Sequence, residues 1–351
     1  MKPPRSPADR LRVCIVPEYP LNLMVGGLQV QAVETLEAVA ARDETIACEM
    51  FDWSSRQPPA DVYHFIGFPP HMARVAELVT ASGKPWLVSL LLGAPSAGTV
   101  KMATARSWLR AAVTRGHSLR TVLQRAHKVI TITPADLAAA GQIYGLDSRR
   151  MAIVPHGVAP GFFHRDPGPW SAKRGKDPFV LCVGAIQPRK NQLLLAQACN
   201  ALRLPLVLIG PVLAENRPYA DQVAAELVRN ESLGGQWIRG LERSDPLLVA
   251  AHHACRLFAL LSTEETQPIS VLQAMAASRP ILLLRSGYTR QAPFSQLPCA
   301  SSGRLDAVKA ALHQAWDNAK ASQLSEDFSW PSVAGKLAEL YRSAAETQPQ
   351  P

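Results

Sequence analysis

The sequence predicts an α/β protein made of two doubly wound domains. Short apolar runs alternate with segments of helical periodicity along most of the 351 residues, as in parallel sheets covered by helices. This length suits two domains of ordinary size, each with its own core. A stretch rich in Pro, Gly and charge, from Asp166 to Pro178, is typical of an interdomain linker. We therefore predict one domain over residues 1–168, a second over 169–327 and a closing segment over 328–351.

The composition describes a folded protein without a membrane span. Hydrophobic residues make up 47% of the chain and charged residues 19%, and no apolar run approaches the ~20 residues that a span requires. The polar N-terminus lacks the apolar core of a signal peptide. The six cysteines are scattered without metal-ligand spacing, as expected of reduced thiols in a cytoplasmic protein. We expect a cytoplasmic protein with no cysteine-based metal site.

The most informative stretch follows an apolar run at residues 257–261, which we interpret as a buried parallel strand. Its polar turn contains two adjacent carboxylates, Glu264 and Glu265. Pro268 suits the first turn of a helix, and Arg279-Pro280 ends that helix. Ligands of open α/β sheets bind at the carboxyl ends of strands, so this turn is a candidate binding site.

A second motif follows the first predicted strand of the second domain. It reads Gly184-Ala-Ile-Gln-Pro-Arg-Lys-Asn191 and precedes a helix from about 192 to 202. Arg189 can grip a diphosphate bidentately, and Lys190 supplies a compact charge. Since cations are not what a helix N-terminus prefers, their placement indicates a bound anion between them. The alternative is a solvent-exposed basic helix start.

Together these motifs resemble the retaining glycosyltransferases of the GT-B fold, of the family-four (group 1) type. Their signature is a glutamate, seven residues and a second glutamate, followed by Ala-Met and a Pro-containing turn. Glu265 matches the first glutamate, Gln273 stands where the second belongs, and Thr266-Gln-Pro268 replaces the usual Gly-aromatic-Gly. The resemblance implies two Rossmann-like domains facing a cleft, with residues 328–351 forming a helix that crosses back onto the first domain.

The resemblance also implies a nucleotide-diphosphate sugar as donor, bound mainly by the second domain, with no metal and no cofactor. Arg189 and Lys190 would stabilise the departing diphosphate while Glu265 bonds the sugar hydroxyls, and these three are the implied catalytic residues. Gln273 would reach the ribose. The reaction would retain the anomeric configuration through a front-face mechanism. The other implied donor-binding residues are Gly26, Gly27, Gly184, Gly210, Leu241, Thr266 and Ile269.

Residues 101–128 carry seven basic side chains and no acidic one, within a chain of net charge +9. Apolar side chains are interleaved at helical spacing. Two interpretations stand: a solvated pair of helices, or a surface that meets anionic lipid or a phosphate-bearing acceptor. The candidates for that surface are Arg106, Trp108, Arg110, Arg115 and Arg120. No nucleic-acid-binding module accompanies the charge, so we expect no nucleic-acid partner. We expect a saccharide or lipid-linked acceptor and peripheral contact at the inner face of the cell membrane.

Departures from the family pattern keep a second function open. Gln273, Pro268 and the absence of a histidine after Leu92 also fit a non-catalytic subunit that binds nucleotide or a partner protein. His64, on the preceding strand, is a weaker site candidate. A glycoside hydrolase is a third class, but it needs two opposed carboxylates about 5–10 Å apart, and the sequence neighbours Glu264 and Glu265 tend to diverge.

Overall fold

The computed structural model describes residues 10–21, 27–54, 59–93, 97–113, 118–241, 245–318 and 320–347. The chain divides into two compact units. The first consists of Met1–Gly157 and Asp327–Pro351, and the second of Val158–Glu326. All six cysteines are free thiols. No helix among the described residues is both long enough and apolar enough to cross a membrane.

The first unit is built on a six-stranded parallel sheet with the order β2-β1-β3-β4-β5-β6. Its strands are β1 (Leu11–Pro17), β2 (Ile46–Met50), β3 (Val62–Ile66), β4 (Trp86–Ser89), β5 (Lys128–Thr131) and β6 (Met151–Ile153). Its helices are α1 (Gly27–Arg42), α2 (Met72–Ala81), α3 (Ala97–Val113), α4 (Leu119–Leu123), α5 (Pro134–Tyr144) and, from the far end of the chain, α12 (Trp330–Glu346).

Aromatic packing forms the centre of one core layer of this unit. Trp86 stacks on Phe68 with ring centroids 5.7 Å apart, and Phe65 meets Trp86 edge-on at 5.5 Å. The buried indole N–H of Trp86 donates to Thr80 Oγ1 at 2.9 Å, so the core contains no unsatisfied donor at this point.

The C-terminal helix α12 belongs to the first unit. Tyr341 is fully buried, and its hydroxyl lies 2.7 Å from Nδ1 of His64 on β3. The Trp330 indole donates to Glu34 of α1 at 2.9 Å. A side chain at Gly157 would overlap the Trp330 ring. This last helix is therefore an integral part of the packing of the first unit.

The second unit contains a six-stranded parallel sheet with the order β12-β11-β10-β7-β8-β9. Its strands are β7 (Val180–Val183), β8 (Leu206–Ile209), β9 (Gln236–Ile238), β10 (Leu257–Leu260), β11 (Ile281–Leu284) and β12 (Cys299–Ala300). Its helices are α6 (Gly168–Arg174), α7 (Gln192–Leu202), α8 (Arg217–Asn230), α9 (Pro246–Ala254), α10 (Ile269–Ala276) and α11 (Leu305–Asp317). From β7 the chain adds β8 and β9 on one side of the sheet, and β10, β11 and β12 then follow on the other side. The boundary between β7 and β10 is therefore the switch point where open α/β sheets bind ligands.

The predicted linker, residues 166–178, contains a helix, and both it and the residues from 158 onward lie in the second unit. Residues 168–174 form α6, whose Trp170 is buried and stacks on Phe179 at 4.9 Å. Phe162 packs edge-on against His252 of α9 at 5.1 Å, and the Gly161 carbonyl lies 3.1 Å from Nε2 of His253. Aromatic burial outweighs the Pro and Gly content here, so these residues belong to the second unit.

Two parallel six-stranded sheets with helices confirm the predicted α/β fold class with two Rossmann-like units. Gly145 ends α5 in the left-handed conformation with φ 61°, as its sequence position indicates. Pro268 lies one residue before α10 instead of in its first turn, and its carbonyl accepts from Val271 N at 3.0 Å.

Candidate active site

The two sequence motifs of the second unit meet at the switch point of its sheet. The segment Pro188–Lys190 follows β7 as a short 3-10 turn, and residues 261–268 follow β10. Since β7 and β10 are adjacent and parallel, their carboxyl ends open onto the same edge. The fold thus joins segments that are about 75 residues apart in sequence.

Backbone and amide contacts hold the two loops together. Asn191 adopts a left-handed conformation with φ 53°, which asparagine tolerates better than most residues. Its side-chain Nδ2 donates to the Leu261 carbonyl at 2.9 Å. The Thr263 N–H donates to the Arg189 carbonyl at 3.0 Å, and Arg189 Nη1 donates to the Glu264 carbonyl.

An ion cluster occupies this junction. Glu265 Oε1 accepts from Lys190 Nζ at 2.8 Å, from Arg189 Nη1 at 2.9 Å and from Ser262 Oγ at 2.9 Å. The Lys190 and Glu265 side chains are only 12% and 13% exposed, whereas Arg189 is 36% exposed. Lys190 is therefore the inner cation and Arg189 the outer one. The three charges sum to one net positive charge at a sheltered edge.

The cluster controls the ionisation of Glu265. Burial by itself would raise the pKa of this carboxyl, but the charges of Lys190 and Arg189 and the hydrogen bonds of Lys190 and Ser262 outweigh it, so the pKa lies below its ordinary value. Glu265 is thus a carboxylate at neutral pH and can accept hydrogen bonds from hydroxyl groups.

Glycines shape the floor of the site. A side chain at Gly210 would overlap the Gly184 carbonyl, and one at Gly184 would crowd the Lys190 side chain at 3.2 Å. Gly184 also has φ 149°, which disfavours other residues. Both N–H groups are bonded within the sheet region, Gly184 to the Ile209 carbonyl at 2.9 Å and Gly210 to Ile238 at 3.0 Å. Because these glycines lack side chains, the backbone segments at Gly184 and Gly210 can lie close together. Their N–H groups are already bonded and are not free to face a ligand.

Three further residues beside the cluster were not predicted from the sequence. Ser262 is fully buried against Glu265, and Gln192 is fully buried with Nε2 donating to the Ala185 carbonyl at 2.9 Å. Tyr288, after β11, has a buried hydroxyl without a partner in the described structure. Burial, followed by the charge of Glu265, raises the pKa of Tyr288. The only sequence signal for Ser262 and Gln192 is their position beside the two motifs.

The remaining predicted donor residues of this unit are half-buried and make no hydrogen bond with the cluster among the described residues. Thr266 and Ile269 are half-buried on the approach to α10. Gln273 follows in α10, and its half-buried side-chain amide has no hydrogen bond within the described structure. Leu241 is half-buried beyond β9. The structure therefore leaves the Gln273 amide available to a ligand.

The sequence also predicted site residues in the first unit. Gly26 and Arg115 lie outside the described residues, whereas Gly27 is the exposed first residue of α1. Arg106, Trp108 and Arg110 are exposed on α3.

His64 and Arg120 need correction, because each side chain is buried. His64 is 1% exposed and lies between Tyr341 Oη and Ser89 Oγ, with Nε2 2.9 Å from the serine, so it has no free nitrogen for a sugar. Arg120 is 8% exposed, and its Nη1 donates to the Ile143 carbonyl at 3.1 Å. Polar partners inside the fold account for both, and the predicted membrane surface does not include Arg120.

Within the described parts of the chain, no three His, Cys, Asp or Glu side chains lie close enough together to hold a metal ion. At this edge of the sheet, Arg189 and Lys190 offer positive charge to an anionic ligand, with Glu265 beside them as a hydrogen-bond acceptor. This arrangement can hold a diphosphate and bond the hydroxyls of an attached sugar.

Comparison with known proteins agrees with this chemistry. Residues 169–292 match the family model for glycosyl transferases group 1. A D-inositol 3-phosphate glycosyltransferase of Kineococcus radiotolerans is 25% identical over 263 residues, covering 64% of this chain and 59% of that protein. The chain thus spans less than two thirds of the length of this relative.

Solved structures share the fold over nearly the whole chain. HepE of Anabaena, crystallised with UDP and glucose, has a TM-score of 0.62 at 15% identity and covers 96% of this chain and 99% of its own. Sucrose-phosphate synthase of Thermosynechococcus elongatus has a TM-score of 0.67 at 17% identity, with 95% and 99% covered. At these identities the likeness concerns the fold alone. The family model agrees with the sequence resemblance over residues 169–292, and the solved structures agree with the predicted fold.

Proposed function

We propose that this protein is a group 1 glycosyltransferase of the GT-B fold, and that it transfers a sugar from a nucleotide-diphosphate sugar with retention of anomeric configuration. The observation that carries the proposal is the cluster of Arg189, Lys190 and Glu265 at the switch point of the second sheet. Two cations beside a carboxylate match the two halves of such a donor, a diphosphate and a polyhydroxylated sugar.

Donor binding would rearrange this cluster. In the structure Glu265 serves as the counter-ion of both cations through a single oxygen. A diphosphate carries more negative charge and more acceptor oxygens than a carboxylate, so it would take over Arg189 and Lys190. Glu265 would then be released to accept hydrogen bonds from the sugar, while Ser262 keeps it in position.

The same residues would stabilise the transition state. As the glycosidic bond to the diphosphate breaks, negative charge grows on the departing phosphate, and fixed cations nearby favour that state over the ground state. The leaving diphosphate would help to deprotonate the acceptor hydroxyl on the same face of the sugar. The reaction would proceed without a metal, since Arg189 and Lys190 supply the required positive charge.

The acceptor in this proposal is a saccharide or a lipid-linked saccharide, in the synthesis of cell-surface polysaccharide or glycolipid. The protein would act in the cytoplasm, with reversible contact at the inner face of the membrane. The exposed basic side chains Arg106 and Arg110 on α3, together with exposed Trp108, support this contact, because each basic group near an anionic bilayer contributes about 1 kcal/mol.

A non-catalytic nucleotide-binding subunit is the second candidate. It is favoured by Gln273, whose neutral amide bonds a ribose more weakly than a carboxylate does, and by Pro268, which removes one N–H before α10. Transfer activity distinguishes this candidate from the first, since nucleotide binding is common to both.

A thermal-shift screen with UDP, GDP and their sugars tests donor binding. A ligand present at 100 times its Kd stabilises the folded state by about 2.7 kcal/mol, so a matching nucleotide should raise Tm clearly. The double variant Arg189→Gln/Lys190→Gln should lose the shift. If no nucleotide raises the Tm of the wild type, the donor proposal fails.

Transfer assays with the matched pair Glu265→Gln and Glu264→Gln test the assignment of the catalytic carboxylate. We expect Glu265→Gln to lower kcat by about 100-fold or more, since it removes charge-assisted bonds to the sugar and changes the cation cluster. Glu264 is exposed and takes part through its backbone carbonyl, so Glu264→Gln should retain most activity. Equal losses in both variants would contradict the assignment.

A further inference from the structure

The first unit contains a cavity of about 520 Å³ that is separate from the site described above. Its wall is formed by α3, α4, the start of α2 and the end of α5. Its polar lining residues are Arg106, Ser107, Arg110, Ser118, Arg120 and Tyr144. The volume lies within the range of about 300–1,000 Å³ that small-molecule sites occupy.

Arg120 is the buried cation of this wall. One of its donors, Nη1, bonds the Ile143 carbonyl at 3.1 Å near the C-terminus of α5, a position that favours positive charge. The Trp108 ring covers the guanidinium, with Cζ 3.8 Å from the ring centroid. The described residues offer no acceptor to Nε and Nη2. A guanidinium has five N–H donors, so most of its hydrogen-bonding capacity remains unused.

No acidic side chain among the described residues pairs with Arg120. The sequence contains no Asp or Glu between Glu77 and Asp136, and no carboxylate in the described parts of the chain pairs with Arg106 or Arg120. The Ser107 hydroxyl, on the same wall, is buried without a hydrogen-bond partner among the described residues. A buried guanidinium with unused donors and a buried hydroxyl without a partner are both costly. Arg106 and Arg120 therefore bring positive charge to the cavity wall without a carboxylate partner among the described residues.

We infer that this cavity binds a phosphate ester. Several phosphate oxygens can accept from the arginine forks of this wall at once. Leu119 and Ala73, which also line the cavity, would contact the organic part of the ester. The phosphate has two possible sources, a soluble phosphorylated metabolite or a phospholipid headgroup. Exposed Met102 and Leu109 on α3 would lie near the bilayer in the second case.

This inference does not depend on the sugar transfer proposed above, because all the residues of the cavity belong to the first unit. Phosphate compounds could also bind Arg189 and Lys190 in the second unit. The binding experiments therefore use the full chain with Arg189→Gln/Lys190→Gln as background, which separates the two anion sites. Failure at one site then leaves the other proposal standing.

Two probes distinguish the sources of phosphate. Glycerol 3-phosphate, titrated by calorimetry, represents the soluble ester, and co-sedimentation with phosphatidylglycerol vesicles represents the headgroup, with phosphatidylcholine vesicles as the neutral reference. Binding of either probe that depends on the cavity supports the inference and identifies the source. If neither glycerol 3-phosphate nor phosphatidylglycerol binds, the inference is overturned.

Matched variants show whether binding depends on the cavity. We expect Arg106→Gln/Arg110→Gln to weaken binding by about 10-fold or more, as the loss of charge-assisted contacts implies. Lys101→Gln/Arg125→Gln removes the same charge from exposed positions that do not line the cavity, and should weaken binding by less than about 3-fold. Ser107→Phe, which fills the cavity, should abolish binding. Equal losses in the two double variants, or full binding by a folded Ser107→Phe protein, would show diffuse surface attraction and overturn the site.

Discussion

At the scale of single residues, the feature that organises the second unit is one carboxylate oxygen. Glu265 Oε1 holds Lys190, Arg189 and Ser262 within 2.9 Å. Two cations so close together repel each other unless a negative charge lies between them. Glu265 therefore has a structural role in the absence of donor, in addition to its proposed contact with the sugar.

Removing Lys190 should show this structural role. Lys190→Met leaves a largely buried carboxylate with only Arg189 and Ser262, so we expect a loss of about 1–3 kcal/mol in the free energy of unfolding of the second unit. Combining it with Glu265→Gln should restore part of the loss, which a double-mutant cycle in denaturant measures. Lys309→Met, which breaks a surface pair with Asp306 at 3.8 Å, is the control and should change stability by less than about 0.5 kcal/mol. Additive effects at Lys190 and Glu265 would contradict the coupling.

Substitution of Gln273 tests whether nucleotide binding in the second unit requires an amide at this position. Its side chain has no partner in the described structure, so Gln273→Glu breaks no existing bond there. We expect nucleotide affinity to be kept or to improve by up to about 5-fold, because a carboxylate bonds hydroxyls more strongly. Calorimetric titration measures the Kd, with Gln314→Glu on exposed α11 as control. A large loss of affinity only at Gln273 would mean that the site is built around the amide.

At the scale of elements, α12 completes the first unit although it comes from the other end of the chain. It contacts β3 through the His64–Tyr341 bond and α1 through the Trp330–Glu34 bond, and Arg342 pairs with Asp43 just after α1. Residues over 290 positions apart in sequence thus share one core. The first unit is expected to fold only when the whole chain is present.

Two tyrosine substitutions measure how much the His64–Tyr341 hydrogen bond contributes to the stability of the first unit. Tyr341→Phe removes the hydroxyl bonded to His64 and leaves a buried ring nitrogen without that partner, so we expect a loss of about 1–3 kcal/mol. Tyr288→Phe is the matched control, since it removes an equally buried hydroxyl that has no partner in the described structure, and should be neutral or slightly stabilising. Thermal unfolding of both variants provides the measurement. Equal Tm values would mean that the His64–Tyr341 bond adds nothing to stability.

At the scale of the whole molecule, buried histidines make stability depend on pH. Burial lowers the pKa of His64 to about 3 and the pKa values of His156 and His252 to about 4. The folded state keeps these rings neutral, whereas the unfolded chain protonates them below about pH 6.5. The unfolded state then binds more protons, so stability falls as pH decreases from about 6.5 towards these folded values.

We expect Tm to fall between pH 7.5 and 5 because each buried histidine costs on the order of 1–2 kcal/mol at pH 5. His252→Gln should reduce this slope, whatever its effect on Tm at pH 7.5. The lowered pKa of Glu265 acts in the same direction at lower pH, since its stabilisation is present above the unfolded pKa of about 4.3 and is lost as pH falls through the folded value. A slope that His252→Gln leaves unchanged would contradict this account.

The sequence by itself determined the fold class and the two motif loops of the second unit. Short apolar runs and helical patterns, with Pro and Gly at their ends, are local properties that predict strands and helices. Parallel strands place their carboxyl ends on one edge, so a basic loop after β7 and an acidic loop after β10 could be assigned to one ligand.

Only the tertiary structure decided which side chains meet. Glu265 pairs with Lys190 across 75 residues, His64 is enclosed by Tyr341, Arg120 lies under Trp108, and Trp170 makes a core helix out of a stretch with the composition of a linker. The physical reason is that burial and pairing depend on strand order and on long-range packing. A basic or histidine side chain has the same local pattern whether it is solvated or enclosed, and the energy that separates the two cases comes from partners far away in the sequence.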